Sequence, residues 1–393
     1  MSTITLEPSV LQWARTRAGL DRIALARKVL GKEDPEQVRE WEKTGELTFR
    51  RAEILAEKTH TPFGYLFLKE PPVEKLPIND FRATDNISTG KASVNLLDVI
   101  YQCQQRQSWY REYMKSLGAE PLKFIGALNT EYPKRAAEDI RTQFKIGPFI
   151  SLKAPSWREN VLLHFEAVES AGILVMRSGV VGNNANRPIS TDEFRGFALS
   201  DQYAPLIFIN SRDALAAQLF TLVHEIVHLC AGESVISNPI RTYATANPIE
   251  QYCNHVAAEV LVPISEFEKE WCAKSPDPLA EIKRLARKYK VSTLVIARRA
   301  RDAGRINQSQ FKAFYDDATS RYLRGQERKD TSESRGNFHN TLGARAGNRF
   351  SRALIASTLE GRTTYKEAFR MLGINNSATF HNFAKSKYGY ELG

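Results

Sequence analysis

The stretch Phe220-Thr-Leu-Val-His-Glu-Ile-Val-His-Leu229 constrains the fold more than any other part of the sequence. It holds no Gly or Pro, and Leu222, Val223, Ile226, Val227 and Leu229 make it apolar around most of its circumference, so it reads as a helix inside a core. Such a helix must still accommodate two imidazoles and a carboxylate away from water, which is costly unless they are bonded or bound to a metal. His224 and His228 stand at i and i+4, about 40° apart in projection, so both rings reach one ion. Glu225 lies beside that ion, where a carboxylate can take a proton from water. Read as a chance match on a buried helix, the same pattern leaves all three groups without a purpose.

A catalytic zinc takes three protein ligands and keeps one position open. The next helical segment offers Glu250 and, nine residues on, Glu259. Nine residues turn a helix through about 180°, so the two carboxylates cannot both face one ion. Glu250 is the favoured ligand, because Asn254, four residues later, can face the histidine pair and hold a ring N–H. Glu259 stays open as the alternative.

The 393 residues are enough for two or three domains with cores of their own. No stretch approaches the roughly 18 apolar residues of a membrane span. Cys103, Cys230, Cys253 and Cys272 are scattered without CxxC pairing, which argues against a disulfide framework and favours a reducing cytoplasm. Residues 1–70 read as short helices broken at Gly19, Gly31, Gly45 and Pro62, and Pro71-Pro72-Val-Glu-Lys-Leu-Pro77 sets a boundary. A helical linker region is expected over 71–155. Within 156–305 the pattern changes to short strands at 172–177, 196–200 and 205–210, followed by helices over 213–229 and 248–261. A helical C-terminal region, 306–393, contains a Gly-, Arg- and Ser-rich segment near 324–345 that reads as mobile. The fold class is therefore α+β, mostly helical, with a small sheet beside the HExxH helix.

The strand 205–210, the Phe-Thr-Leu-x-His-Glu-x-x-His helix and Glu250-x-x-x-Asn254-x-x-Ala257-Ala258-Glu259-x-Leu261-x-Pro263 together resemble the ImmA/IrrE family of zinc metallopeptidases over about residues 160–305. The resemblance implies a gluzincin-like core, zinc held by His224, His228 and Glu250, and Glu225 as general base. It also implies a protein substrate, a helix-turn-helix repressor, in the control of mobile-element or stress-response genes. Cys253 and Val227 stand where the family has smaller residues. An oxyanion donor is expected, with Tyr203, Tyr243, Tyr252 and His255 as candidates.

Residues 8–68 resemble an XRE-type helix-turn-helix, a common N-terminal partner of that core, with Asp34 to Lys43 in the recognition position. Yet residues 1–60 carry 11 Lys and Arg against 10 Asp and Glu, a poor footprint for DNA. The formal net charge of +10 is concentrated instead in residues 281–393, with 23 basic against 10 acidic residues. Residues 285–301 resemble a second helix-turn-helix, which makes Arg298, Arg299 and Arg301 candidate nucleic-acid contacts. The leading expectation is a cytoplasmic zinc endopeptidase. The alternative is a DNA-binding regulator or antitoxin whose zinc site is structural or vestigial. The sequence leaves the oligomeric state open.

Overall fold

The computed structural model describes residues 3–81, 92–237, 247–272, 277–329 and 338–390, with the backbone alone for 319–329 and 338–341. The chain is mostly helical with a small sheet and divides into two compact units, Met1–Pro77 with Thr89–Ile100 and Ile78–Ser88 with Tyr101–Gly393.

In the first unit, strands β1 (Thr3–Thr5) and β2 (Glu46–Thr48) pair antiparallel beside helices Pro8–Arg17, Arg22–Leu30, Pro35–Thr44 and Phe49–Thr59. Val10, Leu11, Leu25, Val38, Trp41 and Leu55 form the core. Asp34 caps the third helix by accepting from Gln37 N at 3.1 Å. Gly45 ends it in the left-handed region, where an added Cβ would lie 2.0 Å from Leu6 O, so only glycine fits. Glu42, on the helix in the recognition position, is turned to Arg15 and Arg22 at 2.5 and 2.8 Å.

The second unit is built on a five-stranded sheet of β3 (Asn79–Asp80), β4 (Leu174–Ser178), β5 (Gly196–Leu199), β6 (Leu206–Asn210) and β7 (Val235–Ser237), in the order β3-β7-β5-β6-β4. The outer pairs are parallel, and β5 runs antiparallel to both of its neighbours. The runs that form β5 and β6 are buried throughout, as continuous apolar strands should be when covered on both faces. Strands β3 and β7 lie where the sequence suggests linker and loop, because two or three residues are too few to show an alternation.

The HExxH helix, Leu215–Ala231, lies against β5 and β6. Its start is pinned to the sheet: Gln218 donates to Asp213 O at 2.8 Å, Asp213 pairs with buried Arg195, and Asn210 donates to Phe194 O at 3.2 Å. Gly232, in the left-handed conformation, ends it. The next helix, Pro248–Leu261, packs along the HExxH helix and the helix Pro133–Phe144, with Asn247 accepting from Ile249 N as its cap. Val223, Ile226, Val256, Val260 and Ile296 close the core between these helices.

Helices Phe338–Ala346, Asn348–Leu359, Tyr365–Leu372 and Ser377–Tyr388 belong to the same unit and dock on the β4 side. Gly347 approaches Val175 so closely that a Cβ would meet its carbonyl oxygen at 2.8 Å. Arg349 donates its N–H to Glu169 Oε1 and its guanidinium to Glu169 O, both at 3.1 Å. Residues 101–155 of the segment read as a linker region, and the basic C-terminal region, thus belong to the same unit as 156–305, while 71–77 and 92–100 belong to the first unit. Of the segment expected to be mobile, 324–329 continue the helix Gln308–Lys329 and 338–345 lie in the helix Phe338–Ala346, while 330–337 fall outside the described residues. No described helix is long and apolar enough to cross a membrane.

Candidate metal centre

The i, i+4 spacing on the HExxH helix brings His224 Nε2 and His228 Nε2 to 3.1 Å. Glu250, in the first turn of the following helix, reaches both, with Oε2 at 3.4 Å from His224 Nε2 and Oε1 at 3.0 Å from His228 Nε2. Zinc donors at about 2.0–2.1 Å in tetrahedral arrangement stand roughly 3.3 Å apart, which matches this spacing. All three side chains are fully buried, and together they form the one cluster of His, Cys, Asp and Glu among the described residues that could hold a metal ion.

The electrostatics agree with a site made for a cation. Burial opposes charge on Glu250, but the charges and hydrogen bonds of His224 and His228 outweigh it and hold the carboxyl down to about 2. Burial likewise opposes charge on His228, yet Cys253, Glu233 and Glu250 around the ring raise its pKa well above the ordinary histidine value. Positive charge is therefore favoured where the donors converge, and a metal ion would take the proton's place.

Glu225 is buried beside these donors, and burial pushes its pKa up against the opposing pull of His224 and His228. One of its oxygens accepts from the Ser237 hydroxyl, and the other, Oε2, has no hydrogen-bond partner among the described residues. That free oxygen is what a general base at this position needs.

The carboxylate at the second nitrogen of His228 comes from Glu233, whose Oε2 is 3.2 Å from Nδ1. Asn254, the expected partner of a ring N–H, is fully buried on the Glu250 helix. Gly232 turns the chain so that Glu233 N meets His228 O at 2.9 Å, which carries the Glu233 side chain back over the ring. Cys253 Sγ lies 3.7 Å from the same nitrogen, and the Phe81 ring is 6.0 Å from the imidazole.

Glu259 is removed as an alternative ligand. It faces away from the histidines, pairs with Arg299 at 2.5 Å and accepts from Ile264 N at 3.2 Å. The same geometry corrects the nucleic-acid reading of Arg298 and Arg299, which are 5% and 4% exposed, since the helix Thr293–Asp302 lies inside the core. Arg301 bonds Asp302 at 3.1 Å and lies 4.8 Å over the Phe311 ring. A phosphate cannot reach guanidinium groups placed as deep as those of Arg298 and Arg299, whereas the Arg301 side chain is 27% exposed.

Among the oxyanion candidates, Tyr252 spends its hydroxyl on Thr130 O at 2.6 Å. His255 lies in the field of Arg298, Arg299 and Arg301, Tyr203 takes the ammonium of Lys115 on its ring at 5.5 Å, and Tyr243 lies outside the described residues. None of the three described candidates is brought to the metal donors by these contacts. Ser237, Glu233 and Gly196 were not singled out by sequence. Of these only Gly196 carries a signal, a glycine that opens a strand run.

An HExxH helix on a small sheet, with a carboxylate from the next helix completing three donors, defines a centre of the metallopeptidase type. Residues 168–301 match the IrrE N-terminal-like domain, a peptidase family, which supports that class of function. Residues 346–386 match a domain of unknown function, DUF8813. No curated protein and no solved structure matches the chain.

Proposed function

We propose that the protein is a zinc-dependent endopeptidase that cleaves a regulatory protein, with His224, His228 and Glu250 holding the metal and Glu225 as general base. The observation that carries this reading is the convergence of three buried donors beside a carboxylate with one free oxygen. Zinc held there supplies Lewis-acid polarisation of the scissile carbonyl and acidifies water. Glu225 Oε2 accepts the proton of the attacking water and returns it to the leaving amine. The helix pair and the sheet fix the base and the donors relative to one another before substrate arrives, which is the positional part of catalysis.

The family resemblance extends the reading to a helix-turn-helix repressor as substrate, with the N-terminal unit serving recognition, in the control of mobile-element or stress-response genes. A reducing cytoplasm suits four cysteines that are all free thiols, three of them buried. The test is Glu225→Gln, which keeps the shape of the side chain and removes its basicity. Zinc content should be unchanged and cleavage of the substrate protein should fall by about 100- to 10,000-fold. A variant that retains both zinc and full cleavage would refute the peptidase reading.

A further inference from the structure

Strands β5 and β7 pair so that Gly196 and Ser237 are directly opposite one another. Opposed residues of neighbouring strands share a face of the sheet, here the face that meets the HExxH helix. From this pair Ser237, fully buried, donates its hydroxyl to Glu225 Oε1. Gly196 contributes by lacking a side chain: a Cβ there would stand 3.2 Å from Glu225 Oε1, 2.6 Å from Thr221 Cγ2 and 2.9 Å from Phe208 O. One strand therefore clears the space that the carboxylate occupies, and its neighbour supplies the donor that holds it.

We propose that Ser237 is a positioning residue for hydrolysis at this centre, fixing Oε1 of Glu225 so that Oε2 is the oxygen presented to water. This rests on the peptidase reading for its chemistry. A glutamate has three side-chain torsions, and a carboxylate anchored at neither oxygen would sample several orientations. A charge-assisted bond to one oxygen selects a single one. The bond also accounts for the asymmetry at Glu225, one oxygen bonded and the other buried without a partner. The Ser237 hydroxyl is bonded to Glu225, so its effect passes through the base.

The zinc-loaded protein and its Ser237→Ala and Ser237→Thr variants test this through a readout besides turnover. A hydroxamate chelates zinc through its oxygens and presents an acidic proton to the neighbouring base, so acetohydroxamate affinity, measured by calorimetry, reports the placement of Glu225. Ser237→Ala is expected to keep one equivalent of zinc, bind acetohydroxamate about 10-fold more weakly and lose about 10-fold in kcat with KM unchanged. Ser237→Thr, which retains the hydroxyl, should restore both. Hydroxamate affinity and kcat within twofold of the parent in Ser237→Ala would overturn the proposal, as would loss of zinc or of cooperative folding, which would mark a structural role. A parent protein that binds zinc and hydroxamate with this dependence on Ser237 yet cleaves no protein would sink the peptidase reading and not this one. Cleavage unaffected by Ser237→Ala would do the reverse.

Discussion

Arg299 Nη1 lies 2.5 Å from Glu259 Oε2, with both side chains buried between the helices Thr293–Asp302 and Pro248–Leu261. Removing one partner of such a pair strands the other charge away from water, which typically costs about 3–5 kcal/mol. Arg299→Met should therefore lower unfolding stability by that order in a denaturant titration. Zinc content of the folded protein should be unaffected, because Glu259 is no ligand. The double variant Arg299→Met, Glu259→Leu should recover most of the loss. A variant as stable as its parent would show that the pair does not hold these helices together.

Glu233 holds Nδ1 of His228 at 3.2 Å, opposite the ring nitrogen that faces His224 and Glu250. A carboxylate at that nitrogen fixes the ring's orientation and raises its strength as a ligand. Glu233→Gln is expected to weaken zinc affinity by about 10- to 100-fold in a chelator competition, with the fold intact. Unchanged affinity would transfer the orienting role to another neighbour of the ring, of which Cys253 is the nearest at 3.7 Å.

His255 gives the protein an acid-sensitive element outside the cluster of His224, His228 and Glu250. Burial, and then the charges of Arg298, Arg299 and Arg301, push its pKa down to about 4. An unfolded histidine takes up its proton near pH 6.5, so between that pH and 4 the unfolded chain binds more protons than the folded one, and stability falls as pH falls through that window. Allowing for the part of the ring that water reaches, the loss is roughly 1–2 kcal/mol. Melting temperatures of His255→Gln measured from pH 7 to pH 4 should decline less steeply than those of the parent. Parallel profiles would remove His255 as the source.

The sequence made the centre legible where chemistry is written in spacing. His224, Glu225 and His228 follow from helical spacing, which makes Glu250 and Glu259 mutually exclusive as ligands without choosing between them, and the expected helix 248–261 coincides with Pro248–Leu261. What surrounds them was hidden for physical reasons. Strand β7 carries Ser237 on three residues, too short for alternation to show, and Glu233 reaches His228 only because Gly232 reverses the chain. The burial of Arg298 and Arg299 could not be read from charge, because a basic run looks the same whether it faces phosphate or a buried carboxylate such as Glu259. Charge totals located the basic quarter of the chain and did not say which of its residues face water.

On the proposed function, His224, His228 and Glu250 hold one catalytic metal ion. Metal analysis of the purified protein by plasma mass spectrometry, beside the His224→Ala variant, tests it most directly. About one equivalent of zinc per chain is expected, and its loss in the variant. Less than about half an equivalent in the parent, or equal zinc in the two proteins, would contradict it.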